Sequence, residues 1–138
     1  MVRTINMQDI RYLNLFNKIT RISTRFCFKY NEAIIFCVPM RFVSKAIGEG
    51  GQNIKKMSEI LHKRIKIVPN PRGIQDAKKF IEAIVSPVKF NDLEITDEEI
   101  ILNAGSNSKA ALIGRNKRRI LEMQKIVKDF FGKEFRII

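Results

Sequence analysis

A strand–turn–helix pattern occurs twice in this chain, and the repeat limits the possible fold more than any other feature. Its first copy contains Ser44-Lys45-Ala46-Ile47-Gly48-Glu49-Gly50-Gly51-Gln52-Asn53-Ile54. The second contains Lys109-Ala110-Ala111-Leu112-Ile113-Gly114-Arg115-Asn116-Lys117-Arg118-Arg119-Ile120. With Gly48 set on Gly114, Ile47 falls on Ile113, Ile54 on Ile120 and Met57 on Met123. Upstream, the apolar stretch Ile34–Val38 falls on Ile100–Ala104 and the turn Asn31-Glu32 on Asp97-Glu98, with no gap at any point. Agreement of that extent reads as an internal duplication of one small unit. A chain of 138 residues then divides into two minimal domains, residues 1–70 and 71–138. Units of about 65–70 residues are marginally stable alone, so packing of one on the other is expected.

Charge narrows the class of partner. The net charge is +12, from 26 basic and 14 acidic side chains, which favours a polyanion. The two cysteines, Cys27 and Cys37, form no CxxC pair, and His62 is the single histidine, so a structural zinc is not expected. Both cysteines lie in apolar stretches that read as paired strands. Reduced buried thiols are the first reading, and a cross-strand disulfide is the other. No apolar run approaches the ~18 residues of a membrane span, and the N-terminus lacks the apolar core of a signal peptide. A soluble, cytoplasmic, monomeric protein without a cofactor or a membrane is expected.

The periodicities place the repeat within a larger unit. Ile10, Leu13, Phe16, Ile19 and Ile22 predict an amphipathic helix over Met7–Ile22. Thr24–Tyr30 and Ala33–Val38 predict a hairpin, after which Pro39 opens a short helix over Arg41–Ile47. Gly48–Gly51 breaks that helix. A second follows over Gln52–His62 with Ile54, Met57 and Leu61 inward, then a strand over Arg64–Val68. In the second half Asp76 is expected to cap a helix with Ala77, Phe80, Ile81, Ile84 and Val85 inward, ended by Pro87. Val88–Ile95 and Glu99–Ala104 predict the second hairpin, Ser108–Ile113 a short helix and Lys117–Phe131 a longer one. That last helix turns Ile120, Met123, Val127 and Phe130 inward and ends at Gly132, before a strand over Glu134–Ile138. Each half therefore reads helix–strand–strand–helix–helix–strand, an α+β unit.

A glycine turn between two helices lets a ligand approach the backbone, since no side chain intervenes. The second helix adds unpaired N–H groups and a positive dipole end, which suit phosphate. A neighbouring apolar strand would offer a floor for unpaired bases, an arrangement that fits single-stranded nucleic acid. The candidate contact residues are Ile47, Gly48, Glu49, Gly50, Gly51, Gln52 and Lys55 in the first half. In the second they are Ile113, Gly114, Arg115, Asn116, Lys117 and Arg118. A tight helix connection and a solvated basic helix face are the structural alternatives at each. No GK[ST] follows the glycines, and no catalytic set of Ser/His/Asp, Cys/His or paired carboxylates stands out, so a non-enzyme is expected.

Ile47-Gly48-x-x-Gly51-x-x-Ile54, after a hairpin and before helix and strand, resembles the KH domain in its type II form. Two tandem copies covering residues 5–138 resemble the small archaeal NusA-like proteins. The resemblance implies single-stranded RNA binding in transcription termination or antitermination, with RNA polymerase as partner. A KH module of ribosome assembly and a polymerase-docking adaptor with little RNA contact are the other functions open. Two departures from the motif stand out. Glu49 puts a carboxylate where phosphate would rest. Lys117 replaces the closing glycine of the second loop, so the first loop is expected to keep the shape and the second the charge. Between the two halves, Pro69–Ile74 spans at most about 20 Å and holds two prolines, which predicts a rigid pair.

Overall fold

The computed structural model describes residues 7–138; the first six residues of the expected first domain lie outside the described residues. Contacts divide the chain into two compact units that change over between Asn70 and Pro71.

The first unit runs α1 (Met7–Thr20), β1 (Phe26–Tyr30), β2 (Ala33–Val38), α2 (Val43–Ile47), α3 (Gln52–Leu61) and β3 (Arg64–Pro69). The strands form a sheet ordered β1-β2-β3. β1 and β2 are antiparallel, joined by Asn31 and Glu32, whose φ of 50° and 62° suit a two-residue hairpin turn. β3 lies parallel to β2, with Ala33 opposite Arg64 and Val38 opposite Pro69. A parallel neighbour requires a crossover, and α2 and α3 are that crossover. Tyr12, Phe16, Cys27, Ile34, Phe36, Ala46, Met57, Ile65 and Ile67 form the core, with Ile47, Ile54 and Leu61 half-buried against it. Phe16 stacks on Phe36 at 4.5 Å between ring centroids.

Helix α1 keeps part of the expected face, with Phe16 buried and Leu13 and Ile19 half-buried against the core, and departs from it in the rest. Tyr12, Phe16 and Thr20 are its buried residues, spaced by four, whereas Ile10 is exposed. A three-residue spacing drifts round a helix of 3.6 residues per turn, so five such positions cannot share one stripe. The helix also stops at Thr20, short of Ile22. Arg21 turns left-handed at φ 64°, and the Thr20 hydroxyl donates to the Phe16 carbonyl and accepts from the Ile22 N–H. Ile22 is buried all the same, beyond the helix.

The cysteines are buried and form no disulfide. The β1–β2 register sets Cys27 opposite Phe36 and Cys37 opposite Phe26. Cys27 and Cys37 therefore lie one register step apart on opposite sheet faces, which rules out the cross-strand disulfide.

The second unit runs α4 (Ala77–Val85), β4 (Asp92–Ile95), β5 (Glu99–Asn103), α5 (Lys109–Ile113), α6 (Arg118–Phe131) and β6 (Glu134–Ile137), with sheet order β4-β5-β6. Again the hairpin is antiparallel and the last strand parallel to the middle one. Ala77, Phe80, Ile81, Ile84 and Val85 are buried, and Phe80 meets Phe130 at 4.9 Å and Phe131 at 5.9 Å. Ile126 joins Met123 and Val127 as a buried residue of α6, a position the inward set above omits.

Two further expectations are corrected here. The strand expected from Val88 begins only at Asp92, because the facing strand β5 ends at Asn103; Asn91 makes the last link, donating its N–H to the Asn103 carbonyl. Asp76 does precede α4, yet its carboxylate makes no capping bond to the helix. It accepts from the Arg72 N–H and Nε instead, both at 3.0 Å.

The offset of the repeat is constant: 114 − 48 gives 66 residues, and the same shift carries Val43–Ile47 onto Lys109–Ile113. It holds from the hairpin to the start of the last helix and fails on either side: α4 is shorter than α1 and buries other positions, and α6 outlasts α3 by about one turn.

Candidate nucleic-acid interface

Both short helices end on a glycine that no other residue could replace cheaply. Gly48 has φ 82° and ψ 163°, and Gly114 has φ 79° and ψ 168°. These angles lie in a region essentially closed to side chains. Space agrees with angle. A Cβ on Gly48 would come within 2.9 Å of the Asn53 side chain, and one on Gly114 within 2.7 Å of Arg119 Cγ and 3.0 Å of its backbone nitrogen.

The bonds round each turn match. Gly48 donates its N–H to the Ser44 carbonyl at 3.1 Å, and Gly114 donates to Ala110 at 3.0 Å. The Gly51 N–H reaches back to the Gly48 carbonyl at 3.0 Å, as Lys117 does to Gly114 at 3.1 Å. Asn53 Nδ2 donates to the carbonyls of Lys45 and Ala46, at 3.4 and 3.1 Å, clamping the end of α2. Arg119, at the equivalent position, donates Nη1 to the Ala111 carbonyl at 2.9 Å and clamps α5. Asn53 and Arg119 were thus readable only as helix residues until the turn brought them back on the preceding helix. The alignment that pairs Ile54 with Ile120 already pairs them.

The second loop corrects an expectation. Gly50 and Gly51 have φ, ψ of 62°, 18° and 74°, 20°, while Asn116 and Lys117 have 56°, 29° and 60°, 22°. The backbone shape is therefore kept in both loops, despite the loss of the closing glycine. Asparagine accepts the left-handed region readily. Lysine does so at a cost of about 1 kcal/mol, because its Cβ crowds the following carbonyl.

Around this frame the candidate residues separate by exposure. Ile47 and Ile113 are half-buried; Ile47 packs on the core of the first unit, so each anchors a loop rather than faces a ligand. Glu49, Gly50, Gln52 and Lys55 are exposed beside Gly51, as are Arg115, Asn116, Lys117 and Arg118 beside Gly114. Neither α3 nor α6 has a side-chain cap on its first N–H groups, which leaves their N-terminal ends suited to an anion. Glu49, Lys55, Arg115 and Lys117 make no ion pair with any described residue.

Strand β2 is buried along its whole length, and Ile100–Leu102 of β5 are buried as well. Neither central strand is the open apolar floor expected for bases. The surface on offer is loop and helix start. A cleft of about 280 Å³, lined by Ser23, Thr24, Arg25, Phe26, Pro39 and Asn70, shares no residue with either loop. Among the described residues no group of His, Cys, Asp and Glu could hold a metal ion, and no helix is long and apolar enough to cross a membrane.

Comparison with known proteins adds a family to this geometry. No protein-family model matches the chain. Three archaeal proteins, each named "Probable transcription termination protein NusA", are similar to it. That of Methanococcus vannielii is 27% identical over 120 residues, 84% of this chain and 68% of its own length. That of Methanocaldococcus jannaschii is 25% identical over 128 residues, 90% of this chain and 68% of its own. The Halococcus morrhuae protein is 26% identical over 94 residues, 68% of this chain and 66% of its own. A solved structure titled "Crystal structure of APE1850" has the same fold, with a TM-score of 0.68 over 97% of this chain and 99% of that one, at 24% identity. The likeness to three archaeal NusA proteins over most of the chain supports its identity as an archaeal NusA-like factor.

Proposed function

We propose that the chain is a single-stranded RNA-binding factor of transcription termination or antitermination, built of two tandem type II KH domains and acting with RNA polymerase. The observation that carries this reading is the repeated loop. Two helix–turn–helix junctions share backbone angles and hydrogen bonds, and each offers exposed backbone and uncapped helix N–H groups. A phosphodiester suits such a surface, since it needs donors and positive potential but no deep pocket. The net charge of +12 supports a polyanionic partner. The relatives' printed names supply the transcriptional context.

On this reading the phosphates lie over Gly48–Gly51 and Gly114–Lys117, with Gln52, Lys55 and Arg118 at the helix starts. A Cβ at Gly50 or Gly51 would meet no atom within 4 Å, so that part of the first loop is open to close approach. Binding is anchored on the backbone of the RNA. Burial of the central strands limits base readout, so sequence preference is weak.

Titration of the chain into a fluorescent single strand, with unlabelled duplex RNA as competitor, tests the binding. Tight binding that duplex fails to compete supports it; equal competition by duplex contradicts it. Capture of the tagged chain from cell extract, with and without nuclease, tests the polymerase partnership. Polymerase subunits retained after nuclease support direct contact, and their absence in both samples contradicts it.

A further inference from the structure

The two loops share a backbone but not a charge. Gly51 and Lys117 occupy one left-handed position, free for glycine and strained for lysine. Other non-glycine residues with positive φ have local reasons: Arg21 and His62 close helices, Asn31 and Glu32 make a hairpin turn, and Asn116 is of a type that accepts the region readily. Lys117 opens a helix rather than closing one. It is exposed and makes no ion pair with any described residue, as is true of Arg115 beside it. Two like charges are thus crowded on a strained turn with no counter-charge. The first loop, by contrast, carries the carboxylate of Glu49 and no cation among Gly48–Gly51.

We propose that the second loop is the principal phosphate anchor and that Lys117 is its main cation, the first loop being the weaker site. The proposal rests on the reading of both loops as RNA surfaces. In this division of roles, the first loop would admit a phosphate by close approach to bare backbone. The second would hold one by a side chain that rises from the loop itself. Space allows this. A Cβ at Gly51, the equivalent position, meets no atom within 4 Å, so a lysine stem leaves this position without a clash. The ligand is the phosphodiester backbone of a single strand, gripped without reference to its bases.

Reciprocal variants, Lys117→Gly and Gly51→Lys, test the assignment in the full chain. Each is titrated into a fluorescent single-stranded RNA of mixed sequence and melted in parallel. Lys117→Gly should melt higher, since its strain is relieved. It should nevertheless bind roughly fivefold more weakly at about 0.1 M salt, with a log–log salt slope shallower by about 0.7, the value of one lost single-strand contact. Gly51→Lys should melt lower and bind more tightly. Should Lys117→Gly bind as well as wild type or better, the lysine is the remnant of a lost glycine and the anchor is refuted. Weaker binding by Gly51→Lys refutes it too, because bulk at that position would then exclude phosphate. A wild-type chain that binds no RNA defeats the underlying reading along with the anchor. Wild-type binding with an indifferent Lys117→Gly defeats the anchor alone.

Discussion

At the residue scale, single side chains decide whether a loop attracts or repels phosphate. Glu49 is exposed and has no ion-pair partner among the described residues. Glu49→Lys should therefore tighten RNA binding roughly two- to fivefold at low salt, the range of about 0.5–1 kcal/mol typical of exposed charge pairs. Gly50→Asp should weaken it, by charge and by a side chain at φ 62°. Titration against one short RNA reads both, and two unchanged affinities would remove the first loop from the binding surface. The first glycines act on stability instead. Gly114→Ala should cost about 1–3 kcal/mol for its backbone angles alone, and more than Gly48→Ala. Its Cβ would meet the Arg119 backbone, whereas at Gly48 only the side chains of Asn53 and Gln52 must move. Urea denaturation separates the two, and a larger loss at Gly48 would contradict the steric argument. The glycines were legible from the sequence because few residues end a helix and start another at once. The left-handed Lys117 was not. Residue type argues against that angle, and the turn that imposes it shows only in the structure, in the hydrogen bond from its N–H to Gly114 repeated from the first unit.

At the element scale, packing rather than propensity fixes what periodicity left open. Helix α4 was readable to the residue on its inner face because its apolar positions follow the helical period. Helix α1 was readable in part: Leu13, Phe16 and Ile19 do face the core, but a spacing of three missed Tyr12 and Thr20 and wrongly included the exposed Ile10. The late start of β4 was hidden too, because strand length depends on the partner strand. Phe80 joins α4 to α6 through both Phe130 and Phe131. Phe80→Ala should cost about 3–5 kcal/mol, as large-to-small core changes do, measured by urea denaturation of the full chain. A loss below about 1 kcal/mol would mean the aromatic cluster is not a core. At the start of α4, hydrogen bonds from the Arg72 guanidinium and backbone hold the Asp76 carboxyl below its ordinary value. A carboxyl lowered by folding stabilises the protein above its unfolded value of about 3.9. That contribution is lost as pH falls through the lower folded value. Wild type should therefore exceed Asp76→Asn in stability near neutrality, and the gap should close in strong acid. A gap that widened in acid would contradict the ion pair.

At the scale of the whole molecule, two candidate sites lie on one chain, with only residues 70–73 between β3 and the helical turn before α4. Two tethered sites raise each other's effective concentration whenever one ligand reaches both. A single strand of about eight or more nucleotides should then bind far more tightly than one of about four. A gain of only about twofold would mean two sites acting separately. The duplication, the element order and the family resemblance were all legible in the sequence, because a repeat carries twice the pattern of a single domain. Burial of the central strands was not, since an alternating or apolar run does not tell which face is covered. That burial moves the account from base readout to backbone contact. The most direct test of the central claim is the salt dependence of binding to a single strand. If about four to six phosphates are neutralised, log K against log salt should fall with a slope of roughly −3 to −4, and duplex RNA of the same length should bind more weakly. A flat response, or duplex bound as tightly as single strand, would contradict the account.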